Sequence, residues 1–174
     1  MALSQQKFRE IVFQLLYSQE IIPSDETLML ELIMSELAVS KKNVRLAQER
    51  VEKIKRLLPE IDLLISSVST SYDFNRIQIV TKNILRLAVF ELLYDEQIPH
   101  KVAIAEAIRL SRKFNTPESA SFVNALLDHL YKKKEGLEVD AAPLSEKANT
   151  LLQSENLASE ITQESLRKEH KSEE

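Results

Sequence analysis

The chain has 174 residues, enough for one domain with a substantial core, and it contains a single Gly and no Cys. Glycine-dependent hairpins and phosphate loops are therefore disfavoured, and disulfides, thiolate catalysis and cysteine metal sites are excluded. Residues 1–136 carry 19 Lys and Arg against 18 Asp and Glu, whereas residues 137–174 carry 4 against 9. A nearly neutral body argues against strong non-specific nucleic-acid binding, because such binding scales with the number of phosphates neutralised.

The first predicted helix follows Ser4, a good N-cap residue, and it carries apolar side chains on two opposite faces. Phe13 and Tyr17 lie opposite its main apolar stripe. Such a helix either packs between two groups of helices or exposes Tyr17 beside Lys7 and Arg9 as part of a binding face.

Six further helices are predicted from apolar spacing and from residues that start or stop helices. Ser24 can cap the second helix, Pro59 interrupts the chain after the third, and Thr116 with Pro117 begins the seventh. Asn115 can take the left-handed conformation that ends the sixth. The predicted spans are roughly 25–39, 41–58, 61–68, 74–94, 100–114 and 117–134. The fifth span is the most apolar and is expected to be innermost.

Phe122 in the seventh helix lies about 90° from the centre of that helix's apolar stripe, and Asn124 flanks the stripe on the other side. The stripe consists of Val123, Leu126, Leu127 and Leu130. An aromatic residue at such a border is either the rim of the core or a stacking platform for a base or a partner. One helix does not decide between these alternatives.

Residues 137–174 are rich in Ser, Glu and Ala, and we expect them to form an acidic tail that is mostly disordered. A short amphipathic helix is possible around Leu144, Ala148, Leu151 and Leu152. Such a tail is either a solubilising extension or a segment that folds over a basic face and competes with RNA.

The sequence offers no catalytic or metal-binding constellation. His100, His129 and His170 fall in a loop, on a late helix and in the tail, without metal-ligand spacing. The many Asp and Glu pairs are typical of solvated helix faces, so we predict that the chain is not an enzyme. The first twenty residues lack the apolar middle of a signal peptide, and apolar runs long enough to span a membrane are missing, so the cytoplasm is expected.

One long stretch resembles the NusB family of transcription antitermination factors. Residues 83–131 read NILRLAVFELLYDEQIPHKVAIAEAIRLSRKFNTPESASFVNALLDHLY, and three family motifs occur in order within it. The first helix, KFREIVFQLLYS, resembles the family's amino-terminal helix more weakly. Residues 24–73 agree in helical pattern alone, and residues 137–174 have no recognised counterpart.

The resemblance implies an all-α fold, a compact antiparallel bundle of about seven helices in two packed subdomains, over residues 1–136. It further implies binding to boxA-like single-stranded RNA of nascent ribosomal RNA transcripts, together with the ribosomal protein that doubles as NusE. Such a complex helps the RNA polymerase elongation complex to read through terminators. The family's members are adaptors that need no cofactor and no membrane.

Candidate site residues follow from the family's contact positions. The implied RNA-binding residues are Lys7, Arg9, Tyr17, Ser119, Phe122 and Asn124. The implied partner-binding residues are Thr81, Lys82 and Arg86. Under this interpretation Phe122 stacks on a base from the rim of the core, which suits single-stranded RNA.

Several positions depart from the family pattern. Gln5 and Gln6 stand in the usual arginine cluster, Ser121 stands where Lys is common, and Thr81 stands where an acidic residue is common. Fewer phosphate contacts predict weaker and less salt-sensitive RNA binding, with the partner protein supplying much of the affinity.

Three alternatives to an RNA and protein adaptor stay open. The chain could be a protein-interaction adaptor with weakened or lost RNA binding, and comparing RNA binding with and without a NusE-type partner separates the two. A similar helical domain precedes some ribosomal RNA cytosine methyltransferases, but their cofactor loop and Cys nucleophile are missing here. A purely structural scaffold is the third.

Overall fold

The computed structural model describes residues 2–23 and 25–172, with side chains up to His170, and no β-strand occurs within these ranges. Eight α-helices lie in this part of the chain: α1 (Gln5–Ile21), α2 (Glu26–Leu37), α3 (Lys41–Arg56), α4 (Leu58–Val68), α5 (Ile79–Tyr94), α6 (His100–Phe114), α7 (Pro117–Lys134) and α8 (Ala142–Ser172). A 3₁₀ turn covers Phe74–Arg76.

Local capping chemistry sets the helix starts, as the sequence predicts. Ser4 Oγ accepts a hydrogen bond from the Lys7 amide, at 3.2 Å. Asp25 caps α2 by accepting the Leu28 amide at 3.1 Å, and Ser24, the predicted cap of this helix, lies outside the described residues. These side chains satisfy amide groups that have no partner inside the helix.

The helices form two groups that meet along α1 and α5. α1, α2 and α3 pack together, while α4 to α7 form a second group in which α6 packs on both α5 and α7. The sequence predicts that α5 is the innermost helix. The structure agrees, because ten of its 16 residues are buried. The expected all-helical fold with two packed subdomains is confirmed, and the helix beyond the predicted seven is α8.

The tail differs from the expectation of a mostly disordered segment. α8 extends over 31 residues and packs along α7, with Leu144, Ala148 and Leu151 buried. These side chains recur at helical spacing, and the apolar surface of α7 gives them a place to be buried, which offsets the entropy of ordering the helix. From residue 156 to 170 the helix is exposed, and residues 173 and 174 lie outside the described part of the chain.

The turn between α7 and α8 contains Gly136, the one glycine of the sequence, with a φ angle of +69°. The Gly136 amide donates to the Lys133 carbonyl at 3.2 Å, and the Leu137 amide donates to the Lys132 carbonyl at 3.0 Å. This is the hydrogen-bond pattern of a Schellman motif, in which a left-handed residue ends the helix. The chain then reverses, and α8 returns along α7.

Candidate nucleic-acid and partner interface

Hydrogen bonds among short polar side chains fix the corner between α6 and α7. Asn115 Nδ2 donates to Thr81 Oγ1 at 2.9 Å, and Thr116 caps α7 by accepting the Ser119 amide at 3.2 Å. The Ser119 hydroxyl donates to the Thr116 carbonyl at 2.9 Å. Ser119 and Thr81 are both buried, so the structure does not offer them as surface contacts.

The left-handed conformation predicted for Asn115 is wrong. Its φ and ψ angles are -144° and -149°, an extended backbone. The reason is that its side chain points to Thr81 on α5, and the extended backbone carries the chain directly to the cap of α7. Asn115 therefore ties α6, α5 and α7 together instead of closing α6 locally.

Phe122 is fully buried, so the structure supports the core alternative, and the stacking position that the resemblance implies is not open in this structure. The Tyr72 ring lies 5.4 Å from the Phe122 ring, and the Tyr72 hydroxyl donates to Glu155 Oε2 of α8 at 2.6 Å. Burial raises the pKa of Tyr72, and the hydrogen bond to Glu155 raises it further. The helical wheel places Phe122 at the edge of the apolar stripe of α7. Tyr72 covers this edge, and a hydrogen bond to α8 holds Tyr72 in place.

Arg9 is buried rather than available to phosphate, so its expected place on an exposed face is wrong. Its Nε lies 2.8 Å from Glu91 Oε1, and its Nη1 lies 3.7 Å from Glu106 Oε2. Burial raises the pKa of Glu91 although Arg9 acts to lower it. The charge of Arg9 is compensated within the core, because a buried guanidinium requires a carboxylate partner.

Glu10 forms a second ion-pair cluster next to this one. Arg109 Nη1 lies 2.7 Å from Glu10 Oε1, and Lys113 Nζ lies 2.9 Å from Glu10 Oε2. Burial opposes ionisation of this carboxyl, but the bonds from Lys113 and Arg109 prevail and lower the pKa of Glu10. The cluster joins the first turns of α1 to the last turns of α6.

A basic strip at the end of α6 was missed by the sequence reasoning. Arg112 is exposed, and the side chain of Lys113 keeps 51% of its accessible surface despite its bond to Glu10. Arg109 Nη2 also donates to the Gln6 carbonyl at 3.2 Å, which brings Lys7 of α1 close to the strip. The available signal was that Arg112 and Lys113, in the last turn of α6, follow Arg109 by three and four residues.

The remaining predicted RNA contacts do not form one cluster. Asn124 is exposed on α7, and Lys7 is half-buried near the start of α1. Tyr17 is half-buried about 15 Å farther along α1, where its ring lies 6.1 Å from that of Phe13. There it lines an apolar cavity of about 380 Å³ together with Met29 and other residues. Of these three, Lys7 and Asn124 have surroundings that suit a polar ligand.

The predicted partner residues on α5 differ in accessibility. Arg86 forms two bonds of 2.8 Å to the two carboxylate oxygens of Asp62 and a third of 2.9 Å to Glu20, and its side chain is 11% exposed. Lys82 is half-buried, with its Nζ 4.8 Å from the centre of the Phe74 ring. Lys82 is therefore the more available cation at this position, because Arg86 is held by two carboxylates.

Metal binding and membrane insertion find no support in the described structure. Across residues 2–23 and 25–172, no group of three or more His, Asp and Glu side chains could hold a metal ion. His100 instead stacks on Tyr131 with ring centres 4.0 Å apart. A search of the same part of the chain finds no helix long and apolar enough to span a bilayer.

Sequence comparison assigns the chain to a family. The profile described as the NusB family matches residues 6–132. The chain belongs to the NusB family. A protein of Chlamydia pneumoniae named transcription antitermination protein NusB is 39% identical over 127 residues, covering 73% of this chain and 79% of that protein. The NusB protein of Desulforamulus reducens is 33% identical over 136 residues, covering 78% and 92%.

Solved structures share the fold. T. maritima NusB superimposes with a TM-score of 0.65 at 33% identity, covering 76% of this chain and 94% of that one. A structure described as the antitermination factors NusB and NusE in complex with dsRNA has a TM-score of 0.63 at 23% identity, covering 74% and 96%. At that identity the second similarity shows the fold alone. The family match ends at residue 132, so α8 lies beyond it.

Proposed function

We propose that this chain binds boxA-like single-stranded RNA of nascent ribosomal RNA transcripts together with a NusE-type ribosomal protein. It then acts as an adaptor that connects the transcript to the RNA polymerase elongation complex in the cytoplasm. Membership of the NusB family supports this function, and so does the shared fold with a NusB protein described in complex with NusE and dsRNA. The activity requires no cofactor and no catalytic step.

The observation that carries the RNA-binding part is the group of accessible cations beside the start of α7. Lys7, Arg112 and Lys113 are the proposed phosphate contacts, and Asn124 offers an exposed amide that can hydrogen-bond a base edge. A surface with about three phosphate contacts gives a shallow salt dependence, with a slope near -0.7 for each contact on single-stranded RNA.

The partner surface is proposed at the start of α5, around Lys82 and the accessible edge of Arg86. RNA and partner would then touch different faces of the same rigid bundle. Joining two weak contacts in this way raises the overall affinity, because the second contact forms at a high effective concentration. The modest charge of the RNA surface makes this contribution important.

A fluorescence-anisotropy titration of a labelled boxA-like RNA, with the NusE-type protein added or omitted, tests the function. We expect weak binding by the chain alone and tighter binding with the partner, relative to a scrambled RNA of the same length. Failure to bind RNA in both cases, with partner binding intact, would contradict the RNA-binding part of the proposal.

Substitution of the basic strip locates the RNA surface. Arg112→Ala with Lys113→Ala should weaken RNA binding and reduce the magnitude of its salt slope by about 1 to 2. Lys133→Ala with Lys134→Ala removes the same charge from the opposite end of α7, where both lysines are exposed. Equal effects of the two pairs would show a general charge effect instead of a site.

A protein-interaction adaptor without RNA binding is the second candidate. It is favoured by the burial of Arg9 and Phe122, which leaves few of the predicted RNA contacts at the surface. This candidate predicts that the Arg112 and Lys113 substitutions leave partner binding unchanged and that RNA has no measurable effect on the complex.

A further inference from the structure

α8 passes beside the start of α7, the part of the molecule where RNA contact is proposed. It runs antiparallel to α7, so that residues from Ser154 to Gln163 lie beside Asn115, Thr116 and Glu118. Together these two helices and Gln78 enclose a cavity of about 450 Å³. Because the family match ends at residue 132, this covering helix is an addition to the family's common body.

A chain of contacts connects α8 to the buried ring of α7. Glu155 of α8 accepts the Tyr72 hydroxyl at 2.6 Å, and the Tyr72 ring lies 5.4 Å from the Phe122 ring. Nearer the start of α8, the hydroxyl groups of Ser71 and Ser145 are 2.8 Å apart. The same segment, residues 71 and 72, is therefore held by α8 on one side and covers α7 on the other.

The charge of this arrangement opposes RNA. Glu118 and Glu155 both line the cavity at the start of α7, and residues 137–174 together carry nine acidic against four basic residues. A phosphate that enters this cavity would meet both carboxylates. α8 therefore adds both bulk and negative charge beside the start of α7.

The attachment of α8 is narrow for a helix of 31 residues. Leu144, Ala148 and Leu151 form its buried stripe, while Leu157 and Ile161 beyond them are each 58% exposed. An element held by few buried apolar side chains opens at lower free energy than the core does. The remaining members of the buried cluster come from α1 to α7 and the turn before α5, and α8 adds three side chains to it.

We propose that α8 is an internal competitor of RNA, closed over the start of α7 in this structure and displaced when RNA binds. This inference rests on the proposed function, because it concerns the same RNA surface. Displacement releases Tyr72 from Glu155 and uncovers Phe122, so that two aromatic rings become available to stack on unpaired bases. The apparent RNA affinity is then the affinity of the open form multiplied by its population.

A disulfide that holds α8 closed gives a direct test in the full chain. The sequence has no Cys, so Ser71→Cys with Ser145→Cys introduces the one possible intramolecular pair, at positions whose hydroxyl groups are already in contact. Affinity for a labelled boxA-like RNA is measured on the oxidised and the reduced form of this protein. We expect oxidation to weaken binding at least tenfold and reduction to restore it.

An opening substitution supplies the opposite change. Leu151→Asp places a charge in the buried stripe and should release α8, which tightens RNA binding several-fold although the chain becomes more negative. Leu157→Asp adds the same charge to an exposed position on the same helix and should not tighten binding. Faster amide hydrogen exchange in residues 142–155 of the Leu151 variant confirms that α8 has opened.

The outcomes separate this inference from the proposed function. Equal RNA affinity of the oxidised and reduced forms, or tighter binding by the oxidised form, overturns the competition while leaving RNA binding in place. Absence of RNA binding in the reduced form and in the Leu151→Asp variant, with and without the partner protein, contradicts the proposed function itself. Tighter binding by the opened variant together with weaker binding by the oxidised form supports both.

Discussion

The second turns of α1 and of α7 each contain a predicted RNA contact that is buried in the structure, but different parts of the molecule hold the two residues. Arg9 is bound by Glu91 and Glu106, which belong to α5 and α6 of the body. Phe122 is covered by Tyr72, and Tyr72 is in turn held by Glu155 of α8, outside the family match. The first arrangement lies within the region of the family match, whereas the second also depends on a helix beyond it.

This difference changes how each residue is to be tested. Moving the Arg9 side chain to the surface would leave Glu91 buried without its main partner, so Arg9 is not expected to be released for RNA contact. The cover of Phe122, by contrast, depends on α8, so the proposed movement of this helix should change the exposure of the ring.

Phe122→Ala should lower the free energy of unfolding by about 4 kcal/mol, because it removes a fully buried aromatic ring from the core. Urea unfolding followed by circular dichroism measures this change. Phe74→Ala is the matched control, since Phe74 is half-buried and should cost clearly less. A loss below about 1 kcal/mol for the Phe122 variant would show that its ring is not a core residue.

Arg9→Ala should cost about 3 kcal/mol, because Glu91 is left buried without its partner. Arg9→Met combined with Glu91→Leu should recover most of this stability, since an apolar pair needs no compensation. Chemical unfolding of the single and double variants measures the recovery. RNA affinity that fell in the double variant, with stability recovered, would argue that Arg9 does contact phosphate.

Glu10→Gln should cost about 1 kcal/mol at pH 7, and this cost should disappear in acid. The pKa of Glu10 is lower in the folded chain than in the unfolded chain, where it is near its ordinary value of 4.5. Its stabilising effect is therefore complete above pH 4.5 and is lost as the pH falls through the folded value. Melting temperatures of both proteins between pH 7 and pH 3 should converge at the acidic end.

Tyr72→Phe should have a smaller effect on stability than these changes, about 0.5 to 1 kcal/mol, because it removes the hydroxyl that bonds Glu155 and Arg76 but keeps the ring against Phe122. Glu155→Gln keeps an oxygen that can accept the same hydrogen bond and should cost less. Thermal unfolding compares the two variants. An effect of Tyr72→Phe as large as that of Phe122→Ala would show that the hydroxyl, not the ring, organises this region.

Local signals in the sequence were sufficient for most of the fold. Ser4 and Thr116 cap the helices they were predicted to cap, since an N-cap depends on residues within one turn. The burial of α5 follows from its continuous apolar composition. The family resemblance over residues 83–131 supplied the arrangement of these helices, which periodicity alone does not determine.

The candidate site was less predictable because its geometry depends on contacts between residues distant in sequence. Glu91 is 82 residues from Arg9, and Glu155 is 83 residues from Tyr72, so neither pairing is visible in a helical wheel. The wheel placed Phe122 at the border of the core correctly for α7 taken alone. The wheel of α7 cannot show that α8 packs against this helix. The apolar stripe of α8 identifies its packing partner only when the surface of α7 is also known.

The turn at Gly136 has a consequence for how the closed arrangement can be tuned. A Cβ atom built at this position would meet nothing within 4 Å, yet the φ angle of +69° is one that other residues adopt at a cost of roughly 1 kcal/mol. Substitution of Gly136 therefore destabilises the turn that lets α8 fold back along α7, because the new residue must adopt a positive φ angle. The side-chain contacts between α7 and α8 are not changed by this substitution. Under the proposed competition, substitution of Gly136 should favour the open form and thereby expose the aromatic rings, although the bend itself contacts no ligand.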